Sequence, residues 1–183
     1  VDYIHYVKEP EPEEAKPVSV RPQPLVPEAY AAYGQVVQAD GLRPFRVVNM
    51  GRAQRWDFLA EVPNLRPARA RLNLCLFRCA PVELPLQVGL LERHPHSGQV
   101  FIPLDTQARY LVIVCLGGEG PDLSTLGAFV ARGGQGISYH PGVWHYPMTP
   151  LDRETDFACL VWEDGTAEDC QVVDLEEPVT VEL

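Results

Sequence analysis

Residues 90–104 read LLERHPHSGQVFIPL, an apolar run that ends in a glutamate and two histidines before resuming as QVFIPL. Its period is two. Leu86, Val88, Leu90, Glu92 and His94 share one parity, so on a β-strand they point to one face, and Gln87, Gly89, Leu91 and Arg93 point to the other. The spacing predicts a strand whose apolar face passes into ionisable groups, the way a pocket wall is built. Pro95 and the Ser97-Gly98 pair turn the chain and carry His96 toward solvent.

Outward from this stretch the pattern stays β. Predicted strands cover 45–50, 55–62, 70–79, 86–94, 99–104, 109–116, 127–133, 136–140, 144–149, 156–162 and 170–175, separated by turn residues such as Gly117-Gly118, Gly133-Gly134, Pro141-Gly142 and Asp164-Gly165. Many short strands at this spacing predict a closed or two-sheet antiparallel barrel. One short helix of about two turns is expected from Pro27, with Ala29–Ala32 inside and Gly34 at its end. Residues 1–24, dense in Pro and Glu, read as an extended arm, and 25–183 as a single domain.

Composition narrows the function classes. At 183 residues, 46% hydrophobic and 22% charged, the chain is long enough to bury a core. A formal charge of −10 with no basic stripe argues against a nucleic-acid partner. No apolar run approaches the roughly 18 residues of a membrane span. The five cysteines are odd in number and form no C-x-x-C pair, which predicts reduced thiols. With no signal-peptide pattern, the expected compartment is the cytoplasm.

A second stretch, GQGISYHPGVWHYPM (134–148), brings a glycine-bearing turn into Val-Trp-His. Together the two stretches compare with the general cupin pattern, a small jelly-roll barrel whose first motif is H-x-H followed by Glu and whose second ends P-x-G-x-x-H. Glu92-x-His94-x4-Gln99 reproduces the first spacing with other ligand types, and Gly142-x-x-His145 reproduces the second. Alternate residues on one strand put two donors on one face, a turn returns a third, and a neighbouring strand supplies a fourth. Glu92, His94, Gln99 and His145 are therefore the candidate ligands of a divalent ion such as Ni²⁺, Mn²⁺, Fe²⁺ or Zn²⁺. The amide at Gln99 weakens the hold on that ion. No organic cofactor is expected. Taken alone, Trp144 reads as a core residue and His140 as a turn cap.

Longer blocks carry a resemblance. ERHPHSGQVFIPL, PDLSTLGAFVARGGQGISYHPGVWHYPM and TDFACLVWEDGTAEDC are similar to the ureidoglycolate lyase family over roughly residues 20–175. The ERHP and YHxxVWHxP blocks are its most specific motifs. The chain departs from the family pattern at Ser138, at Pro141-Gly142, and at Trp162-Glu163-Asp164-Gly165, where bacterial members have Asp-Arg-Gly-Gly.

The resemblance implies a mainly β, cupin-like antiparallel barrel or jelly roll with one or two short helices. It also implies a homodimer, and a carbon–nitrogen lyase that splits (S)-ureidoglycolate into glyoxylate and urea in allantoin catabolism. On that reading Glu92, His140 and His145 are the catalytic candidates, His140 as proton carrier. Arg78, Gln99, Tyr139 and Trp144 are the substrate-binding candidates. Two rivals stand beside it: a metal-dependent cupin dioxygenase or isomerase, and a non-catalytic cupin that binds a small carboxylate.

Overall fold

The computed structural model describes residues 19–39 and 45–183. Most of the arm anticipated over 1–24 lies outside the described residues. Its last part lies within them, as β1 (Ser19–Val20) and β2 (Gln23–Pro24), each paired in parallel with a strand of the body.

The body is built from the predicted alternation. Strands β6 (Arg71–Cys79), β7 (Leu86–Arg93), β8 (Gln99–Pro103), β9 (Tyr110–Cys115) and β10 (Gly127–Ala131) follow in chain order. β11 (Gly136–Tyr139), β12 (Trp144–His145), β13 (Thr149–Pro150), β14 (Thr155–Glu163) and β15 (Gln171–Val181) complete them. Before β6 lie the helix α1 (Pro27–Tyr30), β3 (Val36–Val37) and the hairpin of β4 (Arg46–Val48) with β5 (Ala53–Arg55).

Two sheets result. One runs β1-β15-β7-β12-β9-β10-β2 with β13 also on β9, and the other runs β3-β11-β8-β14-β6. Their pairings are antiparallel apart from the two made by β1 and β2. The result is the mainly β, two-sheet antiparallel architecture expected from the sequence. Among the described residues no helix is long and apolar enough to cross a membrane.

Strand alternation divides the apolar side chains between two clusters. Val112 and Val114 of β9, Phe129 of β10, Phe101 of β8, Ile137 and Tyr139 of β11, and Phe157 and Val161 of β14 meet between the sheets. Leu111, Ile113 and Cys115, of opposite parity on β9, join Val88, Leu91, Trp144 and Val179 on the other face of the first sheet, under Leu84, Leu123, Leu126 and Leu151. Each such large apolar side chain contributes about 1.5–3 kcal/mol when fully buried. β9 is buried on both faces, which explains its unbroken apolar run YLVIVC.

The decisive register differs from the simple parity reading. Between the pairs Val88–Val179 and Leu90–Asp174 the β7–β15 ladder is irregular. Beyond that break Leu91, and not Leu90, joins Leu86 and Val88 in the outer cluster. Glu92 and His94 accordingly turn away from the face that Leu86 and Val88 occupy, into the space between the sheets.

Three other expectations change. Residues 55–62 do not form a strand beyond Arg55; they run as a loop in which Phe58 has φ 55° and is 99% exposed. The helix is one turn long and has no side-chain cap, since Val26 at its N-cap offers no acceptor; Tyr30 and Tyr33 anchor it to the body through their hydroxyls on Ser138 O and Thr125 O. Gly34 follows it where a Cβ would lie 1.8 Å from Ser138 O. The run 144–149 splits into β12 and β13, with Pro147 between them.

Candidate active site

The two stretches singled out in the sequence meet at one point. His145 on β12 is paired directly with Glu92 on β7, so their side chains share a face. His94 follows β7, with its ring stacked on His145 at a centroid distance of 5.6 Å. One ligand atom from each of Glu92, His94 and His145 lies within 4.8 Å of the others. Gln99, on β8 opposite Tyr139 of β11, enters the same cavity from the second sheet. Gly142, with φ 81°, makes the turn that brings β12 into position.

The cavity they line has a volume of about 270 Å³. Its polar wall also includes Glu163, Cys75, Cys79 and Cys170, and its apolar wall Phe77, Phe101, Pro147, Met148 and Val161. No lysine or arginine is among the described residues of the lining. The space suits a ligand of a few heavy atoms.

Hydrogen bonds set the chemistry of the two imidazoles. His94 Nδ1 lies 2.8 Å from Asp169 O and His145 Nδ1 lies 3.0 Å from Val143 O. A carbonyl only accepts, so both Nδ1 atoms carry a proton and the two Nε2 atoms are the ring nitrogens left to the cavity. Burial, with the neighbouring His145, pushes His94 below the usual histidine range and favours its neutral form. His145 Nε2 is buried without a hydrogen-bond partner, and Glu92 Oε1 stands 3.5 Å away, beyond a good hydrogen bond.

Burial opposes ionisation of Glu92. The approach of His145, the charge that His145 and His94 bring when protonated, and the Cys170 thiol 3.9 Å from Oε2 outweigh it and hold the carboxyl below its usual range. Cys170 itself is pushed up to about 11 by burial and by Glu92, so it stays a thiol donor. Gln99 Oε1 is a further buried acceptor without a partner.

Two imidazole Nε2 atoms, a carboxylate and an amide oxygen thus line one cavity, with the Cys170 thiol as a donor to the carboxylate. Such a set of acceptors is stabilised by a cation, and the Nδ1–H bonds to backbone carbonyls are the outer contacts that metal-ligating histidines make. Glu92, His94 and His145 form a triad able to hold a metal ion, and Gln99 Oε1 stands ready beside it.

The remaining sequence candidates sit elsewhere. Tyr139 is buried behind the cavity, its ring stacked on His145 at 4.0 Å and 11°, where it supports the imidazole plane. Trp144 alternates with His145 and so faces the outer cluster, under the Arg93 guanidinium 4.5 Å from its ring. Arg78 shares the parity of Leu74 and Leu76 and points outward, where Asp156 binds it at 2.8 and 2.9 Å. His140 is held by backbone bonds to Tyr33 and Val143 and does not line the cavity. Neither Arg78 nor His140 lines the cavity.

The structure adds Glu163, whose Oε2 accepts from Asn73 Nδ2 at 2.7 Å. It was missed, although the signal is the one seen at Glu92: on β14, Phe157, Cys159 and Val161 alternate inward and Glu163 follows in the same parity. Cys75, Phe77 and Cys79 reach the cavity by the same alternation on β6. All five cysteines are free.

The ureidoglycolate lyase family model matches residues 17–182, a span that includes every cavity residue named above. The chain belongs to the ureidoglycolate lyase family. Relatives named ureidoglycolate lyase in Escherichia coli O1:K1 and in Shigella boydii serotype 18 are each 40% identical over 154 residues, covering 84% of this chain and 92% of theirs. Among solved structures, RmlC from Streptococcus suis in complex with dTDP-D-xylose aligns with a TM-score of 0.41 and 17% identity, over 68% of this chain and 63% of that one.

Proposed function

We propose that the chain is a ureidoglycolate lyase, splitting (S)-ureidoglycolate into glyoxylate and urea as a step of allantoin catabolism, with 25–183 as the catalytic unit in the cytoplasm. The observation that carries this reading is the family match over 17–182, within which the two specific motifs close on one cavity.

The substrate's C2 bears a hydroxyl, a ureido nitrogen and a carboxylate. Cleavage moves the hydroxyl proton to a base, forms the carbonyl from the O–H electron pair, and breaks C2–N. The nitrogen leaves with the bonding pair and is protonated to give urea. No water enters, so the step is an elimination.

Bound by Glu92, His94 and His145, with Gln99 as a weaker fourth ligand, a divalent ion (Ni²⁺, Mn²⁺ or Zn²⁺) would supply Lewis acidity and a counter-charge for the substrate. An anionic substrate facing two carboxylates without lysine or arginine needs such a charge. With the triad so engaged, Glu163 is the carboxylate left to carry the proton, taking it from the hydroxyl and returning it to the departing nitrogen. Asn73 orients it through Oε2. Phe77, Phe101 and Val161 exclude water from the reacting atoms.

The homodimer implied by the family has a candidate face. β6 is the edge strand of the second sheet, its outward Leu74 and Leu76 are 69% and 68% exposed, and exposed Ile102 of β8 lies in the same row across Ala158 of β14. A nine-residue edge with an apolar outer row is what a second copy of the chain would cover by a two-fold contact.

The deciding assay incubates purified protein with racemic ureidoglycolate, with and without chelator, following urea and glyoxylate. Equimolar release of both, slowed by chelation and independent of oxygen, is expected. Absence of glyoxylate release from the metal-loaded protein would rule out the activity.

A further inference from the structure

One arginine outside the cavity holds the segment on which two cavity side chains depend. Arg66 sits in the connection before β6 with its side chain only 10% exposed. Its guanidinium binds Asp164 Oδ2 at 3.0 Å through Nη1 and Asp169 Oδ1 through Nη2. Both carboxylates are nearly enclosed, at 5% and 12% exposure.

The acceptors are used fully. The Asp169 carboxylate also receives the N–H of Asp164 at 3.0 Å and of Gly165 at 2.7 Å. Asp164 Oδ1 receives the N–H and the hydroxyl of Thr166. Loop 164–169 is therefore closed around Arg66.

The loop places the Asp169 carbonyl against His94, and Cys170, which follows it, lines the cavity. Asp169 O is the acceptor for His94 Nδ1, and Cys170 Sγ reaches Glu92 Oε2. Arg66 is tied to the other side of His94 as well. Leu65 N donates to His96 O at 2.9 Å, Gly98 N donates to Pro63 O at 2.9 Å, and Asn64 bridges to Ser97. One short segment thus fixes both the turn that follows His94 and the carbonyl that orients its ring.

We propose that Arg66 is a positioning residue: by clasping Asp164 and Asp169 it holds the Asp169 carbonyl against His94 and keeps Nε2 of that ring as the free nitrogen in the cavity. Outer contacts of this kind are worth about 10–100-fold in activity or metal affinity. The inference rests on the reading of His94 as a site residue, but it is tested separately from it.

The test compares wild type with Arg66→Met, Arg66→Lys and the milder Asp169→Asn. Melting temperature serves as the control for folding, and long-range 1H–15N correlation of the imidazoles gives the His94 tautomer. Steady-state kinetics on ureidoglycolate are measured in parallel. Wild type should show a single Nδ1–H tautomer. Arg66→Met should show mixed tautomers and a kcat lower by about 10–100-fold with KM changed far less, and Arg66→Lys should recover part of both. Should Arg66→Met fail to fold, Asp169→Asn gives the same reading with the loop backbone intact.

An unchanged tautomer in a folded variant, with or without loss of kcat, overturns the proposal. Mixed tautomers with wild-type kcat would leave the clasp standing and remove His94 from the catalytic reading instead.

Discussion

Glu92 and His145 stand opposite each other on adjacent antiparallel strands, with Glu92 Oε1 3.5 Å from a His145 Nε2 that no donor or acceptor satisfies. Val143 O takes the Nδ1 proton, so Nε2 is the nitrogen that faces the carboxylate. Strand pairing sets the two groups side by side. With His94 they form a group able to hold a cation.

Replacing His145 removes that arrangement at its centre. His145→Ala should lower ureidoglycolate turnover by about 100-fold or more, while far-ultraviolet circular dichroism stays that of a folded β-protein. Glyoxylate release at the wild-type rate would take the residue out of the chemistry.

Glu163 is expected to act on the proton and not on binding. Glu163→Gln keeps the shape and the acceptor for Asn73 but cannot carry a proton, so kcat should fall by about 100-fold with KM nearly unchanged. Asn73→Ala should give a smaller loss in the same parameter. A rise in KM at constant kcat would instead make Glu163 a binding group.

Acid stability should report the Arg66 clasp. Asp164 is held below the usual carboxylate range first by the Thr166 hydroxyl, despite burial, and then by the Thr166 amide, Arg66 and Arg69. Burial raises Asp169, but the amides of Asp164 and Gly165, with Arg66, lower it further. For groups depressed in the folded state, the stabilisation is fully present above the unfolded value, near 4, and is lost as pH falls through the folded values. Urea midpoints measured from pH 5 down to pH 3 should therefore fall, and fall less steeply in Arg66→Met. Parallel curves for the two proteins would contradict this account.

The outer face of β6 predicts an oligomeric state. Sedimentation should give a dimer for the wild type and a monomer for Leu76→Glu, because a charge in the apolar row would be buried without a partner. A variant that remains dimeric places the contact elsewhere.

Several features were legible before any coordinates because they depend on period and spacing. Alternation located β6 through β11, β14 and β15 to within a residue or two at most ends, but parity grouped Glu92 with Leu86 and Val88, from which the irregular β7–β15 ladder separates it. Residues 55–62 misled because their apolar content has no partner strand to bury it; after β5 the chain leaves the hairpin as a loop, and the large side chain of Phe58 stays in solvent. Arg78 lies outside the cavity for a different reason: the inward parity on β6 belongs to Cys75, Phe77 and Cys79.

The chain's own alternation of apolar and polar residues determined that it would be a two-sheet β-protein, and motif spacing brought Glu92, His94, Gln99 and His145 together as candidates. The first follows because side-chain direction on a strand is a local property with a period of two. Only the tertiary structure decided which nitrogen of each imidazole is free, that Glu163 joins the cavity and His140 does not, and that Arg66 braces the whole through Asp169. Those facts depend on partners many positions away, whose backbone carbonyls and charges are brought near by the register of whole sheets.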